Sequence, residues 1–287
     1  MGAVAGRLAN SNLVANDGKR TQTVQLTIDE FNLVENVFSF AIGVFGVSAL
    51  FLLLQRGEVA PRYRVMVTLL SLVSAAACYN YSRMFQRWND AFTIVNETVQ
   101  NTGRLYDDTF RYADWLLAVP LLLIALVLSL DMPARQTRMR AIMLGSLAAE
   151  MIALGYPGLT SNSPEVRWVW LGIAMVPFLL ILYQLLVSLS SVIANQPPGA
   201  RALISGARYV VVVVWCFYPI VYVMPMLGAT GAISFVSGQI IYAVGDMIAK
   251  ACYGVLLYAA AARKSNSVST AALEPTALIR PIRSQAG

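Results

Sequence analysis

Seven apolar segments dominate this chain of 287 residues, and each is long enough to cross a bilayer. They lie at about 33–55, 63–86, 110–131, 137–157, 167–193, 204–226 and 234–262. About 20 helical residues cross a hydrocarbon core roughly 30 Å thick, where backbone polar groups must pair within the helix. The composition agrees, since 57% of the residues are hydrophobic and only 13% are charged. We therefore expect an all-α fold, a seven-transmembrane-helix bundle in a lipid bilayer, with no separate soluble domain.

Positive charges beside the segments predict an orientation. They follow the first, third, fifth and seventh segments, as Arg56, Arg62, Arg64, Arg135, Arg138, Arg140, Arg201, Arg208, Arg263 and Lys264. Because cytoplasmic loops retain lysine and arginine, the N-terminus is predicted outside and the C-terminus inside. The net charge of +6 is then a topology signal, and it does not indicate a nucleic-acid partner.

Three parts are predicted along the chain. Residues 1–30 form an N-terminal extracellular tail, with a short interfacial helix near Thr27 to Asn36. Residues 31–264 form the seven-helix domain. Residues 265–287, rich in Ser, Ala and Pro, are predicted to be a disordered cytoplasmic tail.

Histidine is absent, and cysteine is scarce. Without histidine, any proton transfer must use carboxylates, tyrosines, water or a bound cofactor. Cys78, Cys216 and Cys252 lie within apolar segments and show no paired metal-ligand spacing. We expect them to be small core residues, with neither a disulfide framework nor a metal site.

A few ionisable residues lie inside the apolar segments, where a charge is costly and indicates function. Asp246 and Lys250 are four residues apart, so a helix places them on one face. A covalently modified lysine beside a carboxylate would account for the pair; the alternative is an ordinary buried ion pair. In the third segment Arg111 precedes Asp114 by three residues. Two carboxylates facing a cationic lysine and an arginine would form a neutral buried cluster.

Aromatic residues recur on one face of the sixth segment. Trp215, Tyr218 and Tyr222 follow each other at three- and four-residue intervals. Such a stripe alone is typical of plain core or of an interfacial belt. Together with Trp115, Tyr242 and a buried lysine, it favours a long, flat, conjugated ligand held between aromatic rings.

Three motifs carry a resemblance to the microbial (type 1) rhodopsins, which extends over all seven segments. They are Arg111-Tyr112-x-Asp114-Trp115-Leu116-x-x-x-Pro120, Trp215-x-x-Tyr218-Pro219 and Asp246-x-x-x-Lys250. The likeness is closest to bacterial pumps of the proteorhodopsin, xanthorhodopsin and sodium-pump branches. It implies all-trans retinal bound covalently to Lys250 as a Schiff base, with Asp114 as proton acceptor and counter-ion, Asp246 as second counter-ion and Arg111 as extracellular gate. The residues implied to bind the cofactor are Trp115, Leu122, Met151, Gly155, Trp215, Tyr218, Pro219, Tyr222 and Tyr242.

The resemblance also implies a function, which is a light-driven outward proton pump rather than an enzyme. It would be a multi-pass protein of the bacterial plasma (inner) membrane and a homo-oligomer, trimer or pentamer. Asp114 disfavours chloride and sodium transport, since those pumps carry Asn or Thr there. Leu122 goes with green absorption in proteorhodopsin-like members. A carotenoid antenna and the proton-release group stay open, the latter between Glu165 and the acids of the linker at 87–109.

Four positions depart from the family pattern or compensate for a departure. Ala118 replaces a hydroxyl residue, Ala125 replaces the cytoplasmic donor carboxylate, and Asn80 stands where proteorhodopsin-like pumps have histidine. Glu150, inside the fourth segment, is the hypothesised cytoplasmic proton donor; alternatively it faces a neighbouring protomer or a water pocket. Schiff-base reprotonation in Glu150→Gln tests this. The missing donor keeps open a photosensor with a slow cycle; an inward proton pump and a receptor or scaffold without chromophore are further alternatives.

Overall fold

The computed structural model describes residues 24–104 and 106–273, with side chains as far as residue 267. Seven of its helices are long and apolar enough to cross a membrane, which confirms the predicted seven-helix bundle. Numbered by their order, they begin as Ile28–Gln55, Pro61–Ala91, Thr109–Leu128, Ala134–Thr160, Pro164–Tyr183, Pro198–Val223 and Ala232–Met247. Four continue in other geometry, as 3₁₀ turns Arg56–Glu58 and Met224–Leu227, a π turn Gln184–Ser188 before Ser190–Ala194, and a π turn Ile248–Cys252 before Tyr253–Leu273.

Neighbours in sequence are neighbours in space through the first five helices. Short connections, with a longer one between the second and third helices, make these neighbours antiparallel, as expected for a compact helical bundle. The seventh helix packs against the sixth, the first and the second, which closes the ring. This closure places the middle of the seventh helix beside the second and third helices, where the ionisable residues lie.

The first helix begins earlier than predicted. Thr27 caps it, because the Thr27 hydroxyl accepts a hydrogen bond from the backbone N–H of Glu30, and the Glu30 carboxylate accepts from the backbone N–H of Thr27. The predicted interfacial helix near Thr27 to Asn36 is therefore the start of the first membrane helix. Val24 and Leu26, within the predicted tail, are buried and belong to the fold. Residues 1–23 lie outside the described residues.

The linker at 87–109 contains a β-hairpin that was not predicted. The second helix runs to Ala91, and the strands Phe92–Val95 and Thr98–Asn101 pair antiparallel. Asn96 and Glu97 at the turn both have positive φ, 48° and 60°, which is the geometry that a two-residue hairpin with right-handed twist requires.

The seventh helix is longer than predicted and carries a second buried lysine. It continues to Leu273, past the predicted start of the tail at residue 265, and residues 274–287 lie outside the described part. Lys264, expected in a polar end, is 3% exposed. Its ammonium donates to the Ser129 carbonyl (2.6 Å), to Asp131 Oδ2 (2.8 Å) and to Gln196 Oε1. This cluster joins the ends of the third, fifth and seventh helices, since a buried ammonium needs several acceptors.

The cysteines are not the core residues that the sequence predicted. Cys78 is half-buried, whereas Cys216 and Cys252 are exposed on the outer face of the bundle. Lipid tails are as apolar as a protein core, so an apolar side chain suits either environment. Hydropathy alone therefore could not separate the two faces of these helices.

Candidate functional site

The centre of the bundle contains a buried triad of one lysine and two carboxylates. Lys250, Asp114 and Asp246 are at most 2% exposed. Lys250 Nζ lies 3.0 Å from Asp246 Oδ2 and also pairs with Asp114. The predicted same-face pairing of Asp246 and Lys250 is therefore present, and the third helix supplies the other acid. Such a desolvated cluster persists only if further donors compensate the carboxylates.

Asp246 has three neutral donors besides the lysine. Trp115 Nε1 donates to Oδ1 (3.0 Å), Tyr218 OH donates to Oδ1 (2.7 Å), and Tyr81 OH donates to Oδ2 (2.9 Å). They come from the third, sixth and second helices and surround the carboxylate. Hydrogen bonds from neutral donors stabilise a buried anion, so this environment holds Asp246 in its charged form.

Asp114 accepts fewer hydrogen bonds than Asp246. Besides its pairing with Lys250, it accepts one from the Asn80 side-chain amide, which donates to Oδ1 at a long 3.4 Å. Asn80, predicted beside the acceptor, thus lies there. Ala118, one turn along the helix, is buried and adds no hydroxyl. Of the two acids, Asp114 loses fewer hydrogen bonds when it takes up a proton.

Arg111 is fully buried and lies between this triad and the N-terminal end of the third helix. It donates from Nη1 to Tyr81 OH (3.2 Å), from Nη2 to Gln239 Oε1 (2.6 Å) and from Nε to Asp108 Oδ1 (3.1 Å). The guanidinium therefore reaches Asp246 through the Tyr81 hydroxyl rather than directly. We name Tyr81, Arg111, Gln239 and Asp108 the arginine cluster.

An apolar cavity of about 100 Å³ adjoins the triad. The lining consists of Tyr112, Trp115, Val119, Met151, Ile152, Gly155, Leu171, Ala174, Phe178, Trp215, Tyr218, Pro219, Tyr222 and Tyr242. Eight of these were predicted to contact a ligand. Leu122 and Lys250 do not line the cavity; Leu122 is core, and Lys250 turns its ammonium to the acids.

The cavity and the triad share a wall. Trp115 and Tyr218 stack with centroids 4.9 Å apart, line the cavity and donate to Asp246. Gly245 allows this, since a Cβ there would lie 2.9 Å from the Tyr218 ring. A flat apolar ligand in the cavity would therefore contact the two rings that hold Asp246, the partner of Lys250, and these residues fit a polyene aldehyde bound to Lys250.

Sequence reasoning missed several of these residues. The fifth helix supplies Leu171, Ala174 and Phe178 to the lining, but in an evenly apolar helix nothing marks the inward face. Tyr81 and Gln239 belong to no quoted motif, although both are polar groups inside apolar segments. That isolated polarity is the signal that could have found them.

Two other predicted positions differ in their surroundings. Ala125 is fully buried among apolar residues. Glu150 has an exposed side chain on the outer face of the fourth helix, away from the cavity lining. Its role as proton donor stays a prediction. Among the described residues no cluster of His, Cys, Asp or Glu could hold a metal ion.

Comparison with known proteins places this architecture in a family. The model of the family described as "Bacteriorhodopsin-like protein" matches residues 32–264. Archaerhodopsin-2 of Halobacterium sp. (strain aus-2) is 31% identical over 244 residues, which are 84% of this chain and 85% of that protein. Green-light absorbing proteorhodopsin of Gamma-proteobacterium EBAC31A08 is 25% identical over 223 residues, 77% of this chain and 83% of that protein.

A solved structure has the same fold. The crystallographic structure of xanthorhodopsin, titled a light-driven ion pump with dual chromophore, has a TM-score of 0.82 and 39% identity, covering 85% of this chain and 98% of that one. Retinal, held covalently as a lysine Schiff base, is the cofactor of this family, and the lysine that meets the requirement here is Lys250. The chain thus belongs to the bacteriorhodopsin-like family as a microbial rhodopsin, a multi-pass retinal protein and light-driven ion transporter rather than an enzyme.

Proposed function

We propose that this rhodopsin is a light-driven outward proton pump of a bacterial inner membrane. The observation that carries the proposal is the asymmetry of the two acids at Lys250. Asp246 has three neutral donors, whereas Asp114 has one long hydrogen bond from Asn80. One acid is thus suited to stay charged and the other to change its protonation state, as a proton acceptor must.

The residues divide the work accordingly. Retinal, when bound, supplies light absorption and a Schiff-base proton at Lys250. Asp114, in contact with Lys250, receives that proton, so two opposite buried charges are neutralised together. Asp246 keeps its charge on Trp115, Tyr218 and Tyr81. Arg111 balances the remaining negative charge from the N-terminal side, which the positive-residue pattern predicts to be extracellular.

Proton specificity follows from the charge at the centre. Lys250 is already paired with two carboxylates, which leave no uncompensated positive charge at the triad to hold an anion such as chloride. A metal cation would have to displace the ammonium from both acids. A proton needs neither change, because it moves between groups already in contact.

The return of a proton to Lys250 is the open step. The interior of the bundle between the triad and Ala125 is apolar, and Glu150 lies on the outer face of the fourth helix. A slow return would favour the second candidate function, a photosensor, and buried Ala125 is the observation that favours it. Glu150 as donor stays part of the pump proposal and is tested by Schiff-base reprotonation in Glu150→Gln, where an unchanged rate removes it.

Illumination of cells in unbuffered medium tests the function. Cells that make the protein and are given retinal should acidify the medium in light, and an uncoupler should abolish the change. The reason is that an outward pump releases protons on the extracellular side. Alkalinisation would indicate an inward pump, and a steady pH with an intact pigment would indicate the sensor. Cells without added retinal are the control.

A further inference from the structure

We propose that Asp108 is the carboxylate through which the transported proton leaves the protein, an inference that rests on the proposed outward pump. Asp108 directly precedes the third helix, Thr109–Leu128. It is the carboxylate that pairs with Arg111 among the described residues, Nε to Oδ1 at 3.1 Å. Its side chain is 21% exposed, whereas that of Arg111 is 0% exposed, so Asp108 lies between a buried cation and water.

A continuous series of contacts joins Asp108 to the central acids. Lys250 pairs with Asp114 and Asp246, Tyr81 OH donates to Asp246 (2.9 Å), Arg111 donates to Tyr81 (3.2 Å), and Arg111 pairs with Asp108. These contacts run from the centre of the bundle to the end at which the third helix begins. Protonation of the inner acids is therefore coupled electrostatically to Asp108 through one guanidinium.

The groups around this path have fixed roles. An arginine guanidinium does not give up its proton in proteins, so Arg111 can hold charge but cannot carry the proton. Tyr106 lies outside the membrane helices, and burial, with the nearby charge of Asp108, raises its pKa, so it stays a neutral donor to Gln239 Oε1 (3.1 Å). Asp108 is thus the carboxyl group of the arginine cluster.

The other acids on this side are placed differently. Asp90 pairs with Arg104 at 3.2 Å, and Glu97 occupies the hairpin turn. Glu165 accepts a hydrogen bond from Ser163 at the start of the fifth helix. Asp107 is exposed and accepts from the backbone N–H of Thr109 at 3.0 Å. These recorded contacts do not include Arg111, which separates them from Asp108.

The proposed step balances as a simple proton transfer. An O–H bond breaks at the inner acid pair, the proton passes through the Tyr81 hydroxyl and internal water past the guanidinium, an O–H bond forms at Asp108, and the pairing of Asp108 with Arg111 weakens. The O–H bond of Asp108 then breaks and the proton passes to external water. Arg111, no longer held outward, is free to compensate Asp246 until Asp108 is charged again.

Flash experiments on purified, retinal-loaded protein with a pH-sensitive dye test the proposal. The measured quantity is the delay between Schiff-base deprotonation and the appearance of the proton in the medium. In Asp108→Asn this delay should be about tenfold longer than in wild type, or more. Asp108→Glu should restore the timing, since it keeps a carboxylate, and Asp107→Asn, one residue away, should match wild type. Infrared difference spectra should show a transient protonated-carboxyl band in wild type that Asp108→Asn lacks.

The outcomes separate this proposal from the function on which it rests. Unchanged release timing in Asp108→Asn, or Asp108→Glu as slow as Asp108→Asn, overturns the role of Asp108 while the pump stands. A wild-type protein that releases no proton overturns both. Visible absorption spectra of each variant show that it has folded and bound retinal.

Discussion

Replacement of Lys250 by alanine should abolish both the visible absorption band and light-driven transport, the largest effect expected for any single change. Among the described residues, Lys250 is the lysine that lies beside the cavity wall, with its ammonium on Asp114 and Asp246. Without its amine, retinal has no attachment point there. Alanine also leaves two buried carboxylates without their cation, which costs on the order of 3–5 kcal/mol of stability.

Two matched variants separate lost attachment from lost folding. Lys250→Arg keeps a positive charge for the acids but cannot form the Schiff base, so it should fold and stay colourless. Lys264→Gln removes the other buried lysine of the same helix, which pairs with Asp131 at 2.8 Å, and should keep the band. Absorption spectra after reconstitution with retinal measure this. Retinal fixed by borohydride under light to Lys264, or a visible band in Lys250→Arg, would refute the assignment.

Asp114→Asn should stop proton transfer from the Schiff base and move the visible band to longer wavelength. Asparagine cannot accept the proton, so formation of the deprotonated pigment after a flash should slow by about 10²–10⁴-fold. The band moves because a carboxylate beside Lys250 stabilises positive charge on its nitrogen in the ground state more than after excitation. Wild type should show a similar shift in acid, when Asp114 is protonated, and the variant should not.

Asp131→Asn is the control for this substitution. It neutralises the acid of the second Lys–Asp pair, at the other end of the bundle, and should leave the band and the flash kinetics as in wild type. Flash photolysis and static titration provide the two measurements. A variant Asp114→Asn that still deprotonates at the wild-type rate would place the acceptor elsewhere, with Asp246 the next candidate.

The ionic centre could be predicted from sequence because charge in an apolar segment is rare. Asp246, Lys250, Asp114 and Arg111 each stand out against hydrophobic neighbours, and helix spacing gives their faces. The eight predicted lining residues came from the resemblance and the aromatic stripe. The outer placement of Glu150 was left open as one of two alternatives, because the adjacent residues Ala149 and Met151 are both apolar and do not mark the inward face.

Most of the features that were missed depend on long-range packing. Gln239 reaches the Arg111 guanidinium from the seventh helix, whereas the Asp108–Arg111 pair is local, at the three-residue spacing of a helix start. The turn of the hairpin after Ala91 is formed by Asn96 and Glu97, which have positive φ although neither is glycine. No glycine therefore marks this turn in the sequence. The length of the seventh helix depends on acceptors for Lys264 that come from two other helices.

The outward-facing cysteines have a practical consequence for watching this protein at work. Cys252 is exposed although it lies only two residues beyond Lys250, in the same π turn, and Cys216 is exposed beside Trp215. A spin label or fluorophore on either thiol would sit in the lipid and leave the interior untouched. Native residues therefore offer reporter positions on the helix that carries Lys250 and on the sixth helix, which lines the cavity, once Cys78 has been replaced.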